Sequence, residues 1–391
     1  MKPQPRSLLA TVALAALLSV AIAPLAHAAD QGITDTSIKL GMHTSQTGPV
    51  AVFGLAYERA ARLVFDKVNA AGGVNGRKID LIVEDDRGDS GAGVAAVTKL
   101  LDRDQVFLIY GGPFTPVTMA AFPKVIDKGI IYWSSASSSP LLTVPFKKLT
   151  FQAQMTLDQQ AIPVSKLVAS MKPKKVAFIG ENNEYGTIAR DATNAELKKY
   201  NLKIDIEEPI EPNALSATAQ ILKIKAAGAD VIVFGGTPKP LAFVIREANK
   251  QDVKAPIVSF GGGSSAAIFE MVTGEAPIEF YAVSPLGCAL EEPCNAEFMK
   301  EWKQKYPNEA PIVWAAQGYA STQFFVEGLR STGRDLSTAK FVDTLEHLPP
   351  FKAANIPYPM RFTPQSHRGI TGGYLDGFKD GKHYFFGDAK K

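Results

Sequence analysis

Four loops rich in glycine, serine and threonine follow stretches that have the composition of buried strands. They are residues 111–115 (GGPFT), 134–139 (SSASSS), 235–237 (GGT) and 261–265 (GGGSS). In an α/β protein, ligands bind in the crevice at the carboxyl ends of the strands. Backbone N–H groups and small hydroxyls bind by hydrogen bonding and supply neither acid–base nor metal chemistry. The loops therefore predict a site that holds a polar group reversibly.

Signatures of catalysis are lacking in the sequence. No dinucleotide-binding G-x-G-x-x-G follows the first predicted strand, and neither a Walker loop nor a G-x-S-x-G nucleophile motif occurs. His43 follows that strand without a matching nucleophile motif, so we expect either a surface histidine or a hydrogen-bonded structural one. The other histidines lack the spacing of metal ligands. We expect no catalytic residue, metal or cofactor, and an exported hydrolase is the less favoured alternative.

Length and charge limit the class of protein further. The chain has 391 residues, which predicts two lobes. Lys and Arg total 42 against 39 Asp and Glu, and no basic run stands out. Nothing in this balance favours a nucleic-acid partner.

Residues 1–28 have the pattern of a secretory signal peptide. Lys2 and Arg6 precede an apolar run over residues 8–22, and Ala26-His27-Ala28 has the small-x-small form of a signal peptidase site. The run is shorter than the roughly 20 residues of a membrane span. We therefore expect the chain to be exported.

The chain contains two cysteines, Cys288 and Cys294. An exported chain meets an oxidising compartment, so an even count favours one disulfide, here closing a short loop. Two unrelated thiols are the alternative.

Hydrophobic periodicity alternates between strands and helices over most of the chain. In the first series the predicted strands are 37–43, 78–83, 106–110 and 130–133, and the predicted helices are 53–69, 91–103 and 116–127. A second series begins near Leu149, with predicted strands 149–152, 175–179, 203–207, 230–234 and 256–260, and predicted helices 159–170, 187–199, 216–226 and 239–250. Further helices are predicted over 296–306, 315–332 and 338–347, and short strands after Tyr358. The pattern predicts an α/β fold with two parallel-sheet units and a cleft between them.

Several segments resemble the periplasmic leucine-type binding proteins of ABC transporters. Residues 38–54 resemble the start of that family, and residues 68–78 (VNAAGGVNGRK) with the acidic 84–86 match its next segment. The serine-rich loop, residues 140–143 (PLLT) and residues 184–186 (EYG) follow in the family's order. The resemblance implies a type I periplasmic binding fold: two doubly wound parallel-sheet lobes joined by a three-strand hinge. Lobe 1 would comprise 30–153 plus 284–362, and lobe 2 would comprise 154–283 plus 363–391.

The resemblance also implies the ligand-binding residues. The first lobe would hold a carboxylate through Thr115, Ala136, Ser137 and Ser138, since a carboxylate needs several convergent donors. The aromatic residues expected around the ligand are Phe53, Phe114 and Tyr185, with Trp133 either lining the pocket or lying in the core. A solvated turn and ordinary packing are the alternatives for these two groups.

One position departs from the family pattern. Amino-acid-binding members place an acidic side chain after the strand predicted at 256–260, where it pairs with the ligand's ammonium, and the matching residue here is Gly262. A buried ammonium without a counter-charge is costly. Either Asp158, Glu181 or Glu184 substitutes, or the ligand has no ammonium. Thr237 is another contact position, and its hydroxyl could donate or accept.

The expected function is that of the periplasmic solute-binding component of an ABC importer. It would capture an amino acid or an aromatic or aliphatic organic acid and deliver it to an inner-membrane permease with its ATPases. We expect it to act as a monomer. An amide- or urea-type binder and a sensor that presents its ligand to a receptor are the alternatives.

Overall fold

The fold is described from a computed structural model, which covers residues 30–261, 268, 272, 279–284, 286–379 and 382–388. The predicted signal peptide and Gly262 lie outside the described residues.

The first half of the chain alternates strands and helices almost as the sequence predicts. The elements are β1 (Ser37–Thr44), α1 (Ala51–Ala70), β2 (Lys78–Asp85), α2 (Ser90–Asp102), β3 (Leu108–Gly111), α3 (Thr115–Asp127), β4 (Ile131–Ser134) and β5 (Thr150–Gln152). A second run follows with α4 (Leu157–Ser170), β6 (Val176–Glu181), α5 (Glu184–Leu197), β7 (Ile204–Ile210), α6 (Thr218–Ala227), β8 (Val231–Gly235), α7 (Pro238–Lys250), β9 (Ile257–Ser259) and β10 (Phe280–Ser284). The last elements described are α8 (Ala296–Lys305), α9 (Val313–Thr332), α10 (Thr338–His347), β11 (Tyr374–Lys379) and β12 (Lys382–Asp388).

The strands form two sheets, and we call the units built on them the first and second lobes. The first sheet has the order β2-β1-β3-β4-β5, with every pairing parallel. The second has the order β12-β11-β10-β9-β8-β6-β7, which is parallel from β10 to β7 and ends in antiparallel β11 and β12. The predicted α/β class with parallel-sheet lobes is confirmed, and an antiparallel pair completes the second sheet.

Two strands differ from the sequence prediction. Periodicity assigned the strand near Leu149 to the second series, whereas β5 pairs with β4 in the first sheet. Strand β10 was not predicted, because its five residues are all buried and so show no alternation of apolar and polar side chains.

Local capping explains where the helices beside the cleft begin. Thr156 and Gln159 form a reciprocal capping box at the start of α4. The Asn183 side chain accepts a hydrogen bond from Gly186 N at 3.1 Å at the start of α5. These caps fix the positions at which both helices leave the cleft.

The chain passes between the two sheets three times, after β5, after β10 and before β11. The first and third crossings are tied together, since Gln152 N donates to His367 O at 2.9 Å and Gly369 N donates to Gln152 O at 2.7 Å. This arrangement agrees with the three-strand hinge that the resemblance implies. The residue bounds given above for the two lobes stay a prediction.

Aromatic residues fill the interior of the first lobe. Phe325 of α9 lies 5.0 Å from the ring of Trp133 and 5.3 Å from that of Tyr110, between centroids. Helix α9 thus packs on the first sheet, although it follows the second sheet's strands in sequence. Trp133 is fully buried here and is absent from the lining of the cavity described below.

Two further observations concern the covalent cross-link and the character of the helices. Cys288 and Cys294 are joined in a disulfide that closes the loop ahead of α8. Within the part of the chain that the structure describes, no helix combines the length and apolar character needed to cross a membrane.

Replacing Phe325 by alanine should destabilise the protein by about 3–5 kcal/mol, because removing a fully buried ring that packs against four other aromatic rings leaves a cavity. Urea unfolding followed by tryptophan fluorescence measures the change. The control is Phe146→Ala, at a phenylalanine that is 45% exposed, with an expected cost below about 1 kcal/mol. Equal costs for the two variants would contradict the central place of α9 in this core.

Candidate ligand-binding cavity

A cavity of about 800 Å³, counted with its part open to solvent, lies between the two sheets. The lining residues are Phe53, Tyr57, Pro113, Phe114, Thr115, Ala136, Ser138, Gln154, Met155, Gln160, Tyr185, Thr237, Gly261, Val283, Trp314, Gln317, Ile370 and Gly372. Among these described residues none carries a charge, and the polar ones are hydroxyls and amides. The cavity can therefore bind a ligand through neutral hydrogen bonds and apolar contact.

Most residues predicted from the sequence meet at this cavity. The structure brings together Phe53, Phe114, Thr115, Ala136, Ser138, Tyr185 and Thr237. Ser137 is buried behind the lining, where its hydroxyl donates to Thr115 Oγ1 at 3.3 Å. Gly262 is outside the described residues, and its neighbour Gly261 lines the wall.

The loop of residues 134–139, which we call the serine loop, is held rigidly. Gln152 Nε2 donates to the carbonyl oxygens of Ser137 at 3.1 Å and Ser139 at 2.9 Å. The carbonyl of Ser138 accepts from Leu157 N at 2.8 Å, so the start of α4 is bound to the same loop. The loop is therefore a buried, preorganised wall, unlike the solvated turn considered as the alternative.

Two hydroxyls of this wall have their acceptor positions occupied. Ser138 Oγ accepts from Gln154 Nε2 at 3.1 Å and from Gln160 Nε2 at 3.5 Å. Thr115 Oγ1 accepts from Ser137 Oγ at 3.3 Å and from Ser138 N at 3.4 Å. A hydroxyl has two lone pairs and one hydrogen, so each of these groups is left to act as a donor. The Ser138 O–H faces Ala136 O at 3.4 Å, a long contact that a ligand oxygen can replace.

A chain of neutral groups, which we call the amide relay, leads to Ser138. Tyr57 Oη donates to Gln317 Oε1 at 2.6 Å, and Gln317 Nε2 donates to Gln154 Oε1 at 2.9 Å. Gln154 Nε2 then donates to Ser138 Oγ. Burial raises the pKa of Tyr57, which keeps its hydroxyl protonated and able to donate. The relay connects α1 and α9 of the first lobe to the first crossing and to the serine loop.

Gln160 fixes the direction of the hydrogen bond on the other side of Ser138. Its Oε1 accepts from Gly261 N at 2.9 Å, and its Nε2 donates to Met155 O at 3.0 Å. A backbone N–H can only donate and a carbonyl can only accept, so only one orientation of this amide satisfies both. Ser138 consequently receives an N–H from Gln160.

Aromatic side chains form much of the remaining wall. Phe53 packs on Trp314 with ring centroids 4.3 Å apart, and both residues line the cavity beside Tyr57. Tyr185 lies in the first turn of α5 on the second lobe. Because α3 of the first lobe contacts α5, the two lobes meet over the cavity.

The acids proposed as substitutes for Gly262 lie elsewhere. Asp158 pairs with Arg368 of the third crossing at 2.8 Å, and Glu184 is half-buried outside the lining. Glu181 is buried behind Thr237 and accepts hydrogen bonds from Thr237 N at 2.7 Å and from the Thr237 hydroxyl. Burial raises the pKa of Glu181, and the hydrogen bonds from Thr237 and Asn183 oppose that rise in part. None of the three carboxylates borders the cavity directly.

His43 is buried and hydrogen-bonded, which is the second of the two alternatives that the sequence left open. Its Nδ1 lies 3.1 Å from Asp86 Oδ2, and its Nε2 lies 3.1 Å from Tyr132 Oη. The nearby Ser45 hydroxyl donates to Asp86 at 2.5 Å and does not contact the histidine. These three residues therefore lack the nucleophile–base hydrogen bond of a hydrolase. Gly112 N donates to His43 Nε2 at 3.3 Å, which connects the histidine to the loop before Thr115.

Sequence reasoning missed part of the lining. Gln160, Gln317, Trp314 and Tyr57 are helical residues, and their periodicity marks only a buried face. The sequence did contain a hint that Trp314 and Gln317 share one face of the helix, because they are spaced as i and i+3. Few other long polar residues lie among the buried residues of this helix. Nothing in the local pattern shows that α9 faces α1.

Comparison with known proteins places the chain in a family. A family model for periplasmic binding proteins matches residues 37–382. A relative, the amino acid binding protein of Pseudomonas aeruginosa, is 30% identical over 247 residues. The match covers 63% of this chain and 66% of the relative, which is just under two thirds of its length. The Leu/Ile/Val-binding protein homolog 1 of Brucella abortus is 26% identical over 300 residues, covering 76% of this chain and 79% of the relative.

A solved structure shares the fold. The fatty acid ABC transporter substrate-binding protein from Thermomonospora curvata matches with a TM-score of 0.81 at 22% identity, over 92% of this chain and 93% of the other. At this identity the similarity concerns the fold.

The amide relay predicts non-additive effects of mutation. Gln154→Leu and Gln317→Leu should each destabilise the protein by about 1–3 kcal/mol, because each leaves a buried partner without its hydrogen bond. The double variant should cost about 1 kcal/mol less than the two single changes together, since one shared hydrogen bond is lost only once. Urea unfolding of the four proteins gives the coupling energy, and strict additivity would show that the two amides do not interact.

Proposed function

The chain belongs to the periplasmic binding protein family, in its leucine-binding type, and we propose that it is the periplasmic solute-binding component of an ABC importer. Its ligand is a small carboxylate with an apolar body. The observation that carries this proposal is the pair of hydroxyls, Ser138 and Thr115, that can only donate into a cavity without charged groups in its described lining.

A carboxylate matches these donors chemically. It accepts hydrogen bonds at two oxygens and donates none when ionised. Bonds from neutral donors to a charged acceptor are roughly twice as strong as neutral pairs, and they strengthen when water is excluded. Ser138 and Thr115 are both more than 90% buried, so their hydroxyls are already desolvated before a ligand arrives.

The rest of the lining supports an apolar ligand body. Phe53, Tyr185 and Trp314 offer aromatic faces, and Val283 and Ile370 offer aliphatic ones. A free ammonium would lack a carboxylate among the described lining residues, and desolvating it would cost several kcal/mol. This favours an aromatic or aliphatic acid over an ordinary amino acid. The relatives' names include amino acids and a fatty acid, which share the carboxylate.

Closure of the lobes would trap the ligand and create the form that the permease accepts. The serine loop belongs to the first lobe, whereas Tyr185 and Thr237 belong to the second. A ligand that contacts both lobes stabilises the closed arrangement by its differential affinity for it. Loss of uptake of the identified ligand in a strain lacking this chain would distinguish transport from sensing.

A thermal-shift panel tests the ligand class. Leucine, phenylalanine, benzoate, cinnamate, 4-methylpentanoate and the corresponding amides should be compared at equal concentration, because binding to the folded state raises the melting temperature. We expect stabilisation by acids without an ammonium group and none by their amides. Stabilisation only by amino acids, or only by amides, would contradict the proposed class.

Ser138→Ala should weaken binding of the carboxylate by about 1–3 kcal/mol, because it removes a donor to a charged oxygen. Ser139→Ala is the matched control, since the Ser139 hydroxyl accepts from Leu141 N at 3.3 Å and does not line the cavity. Isothermal titration calorimetry of the two variants should show an affinity loss for the first alone. Equal affinities in both variants and the unmodified protein would exclude the role given to Ser138.

A further inference from the structure

We propose that Thr237, backed by Glu181, is a hydrogen-bond acceptor that selects ligands carrying a neutral hydroxyl in addition to the carboxylate. The proposal deepens the function given above and rests on it. It concerns the second-lobe wall of the cavity, which faces the donor hydroxyls of the serine loop.

The hydrogen of the Thr237 hydroxyl is already committed. The hydroxyl donates to Glu181 Oε1, and Thr237 N donates to the same oxygen at 2.7 Å. Asn183 Nδ2 donates to Glu181 Oε2 at 2.8 Å. Three donors therefore hold the carboxylate in place, and a carboxylate that accepts from Thr237 leaves that hydroxyl with its lone pairs alone.

The acceptor positions of Thr237 are unoccupied by any described residue. Thr237 is the N-cap residue of α7, where a threonine normally accepts from the N–H of the second or third helical residue. Of these two residues the third, Pro240, has no N–H, and the second, Lys239, makes no capping bond to the side chain. The oxygen is therefore available to the cavity that Thr237 lines.

The two walls differ in hydrogen-bonding polarity. Ser138 and Thr115 donate from the first lobe, and Thr237 accepts from the second. A ligand that satisfies both walls presents an acceptor to the first lobe and a donor to the second. The sequence left the polarity of Thr237 open, and the contact with Glu181 decides it.

A neutral donor fits this wall better than an ammonium. An ammonium has three N–H groups and a full charge, and Thr237 offers it one hydroxyl oxygen. Glu181 does not border the cavity, because Thr237 and Gly236 cover it; a Cβ on Gly236 would lie 2.8 Å from Glu181 Cγ. A ligand hydroxyl needs only the single acceptor that is present.

Matched acids test the proposal by calorimetry. One series is 4-methylpentanoate, its 2-hydroxy derivative and leucine, which share a skeleton and differ in a hydrogen, a hydroxyl and an ammonium. The second is benzoate, 4-hydroxybenzoate and 4-methoxybenzoate, in which the methoxy form cannot donate. We expect the hydroxy acid of at least one series to bind about tenfold more tightly than its partners, as one buried hydrogen bond implies.

Variants show whether Thr237 and Glu181 cause the preference. Thr237→Val should abolish the preference for the hydroxy acid over its unsubstituted partner, and Thr237→Ser should retain the preference. Glu181→Gln keeps an acceptor for Thr237 without the charge and should give an intermediate preference. Ser138→Ala, in contrast, should weaken all acids of a series alike.

The outcomes separate the two proposals. If acids bind but the hydroxy forms are not preferred, or if leucine binds most tightly, the role of Thr237 is overturned and the carboxylate site stands. A preference that survives in Thr237→Val likewise overturns it. If no acid binds in either series, the proposed function fails, and this inference fails with it.

Discussion

The cavity depends on one constraint: each buried polar group of its described lining must find a hydrogen-bond partner although none of the lining residues is charged. Amides and hydroxyls meet this demand only when each donor faces an acceptor. The amide of Gln160 is fixed by Gly261 N and Met155 O, and this contact sets how Ser138 can bond. Two backbone groups thus fix the hydrogen-bonding direction of a side chain that lines the cavity. Breaking one of these fixed hydrogen bonds is costly, because a buried group left without a partner carries its full desolvation penalty.

The same contacts join parts of the chain that are distant in sequence. Gln317, Gln154 and Ser138 belong to a late helix, a crossing and an early loop, yet they form one hydrogen-bonded series. Gln152 holds the serine loop and also pairs with the third crossing. The binding wall and the hinge therefore share residues, so that movement of the crossings and the state of the wall are physically coupled. Small changes at the crossings would alter the orientation of the donors.

Sequence patterns were sufficient for the elements and for the strand-end loops, because the alternation of buried strands and amphipathic helices is local. They assigned β5 to the wrong sheet and missed β10, whose five buried residues carry no periodicity. Glycine and serine loops after β3, β4 and β8 predicted a polar cleft, and the family resemblance placed Thr115, Ser138 and Thr237 there; the structure brings these three residues to one cavity. The direction of each hydroxyl could not be predicted in this way, because it depends on partners distant in the sequence, such as Gln154 for Ser138 and Glu181 for Thr237. The same limit applies to Trp133, whose burial depends on helix α9.

The two prolines at the start of α7 have one more consequence. The amino-terminal end of a helix is normally a good seat for an anion, because its free N–H groups and its dipole both favour negative charge. Pro238 and Pro240 remove two of the N–H groups from this end, and the Thr237 amide is already bound to Glu181. A molecule with a carboxylate at both ends would find donors in the first lobe and a repelling carboxylate behind the second. Under the proposed function, this architecture would favour monoacids over diacids and a single orientation of the ligand.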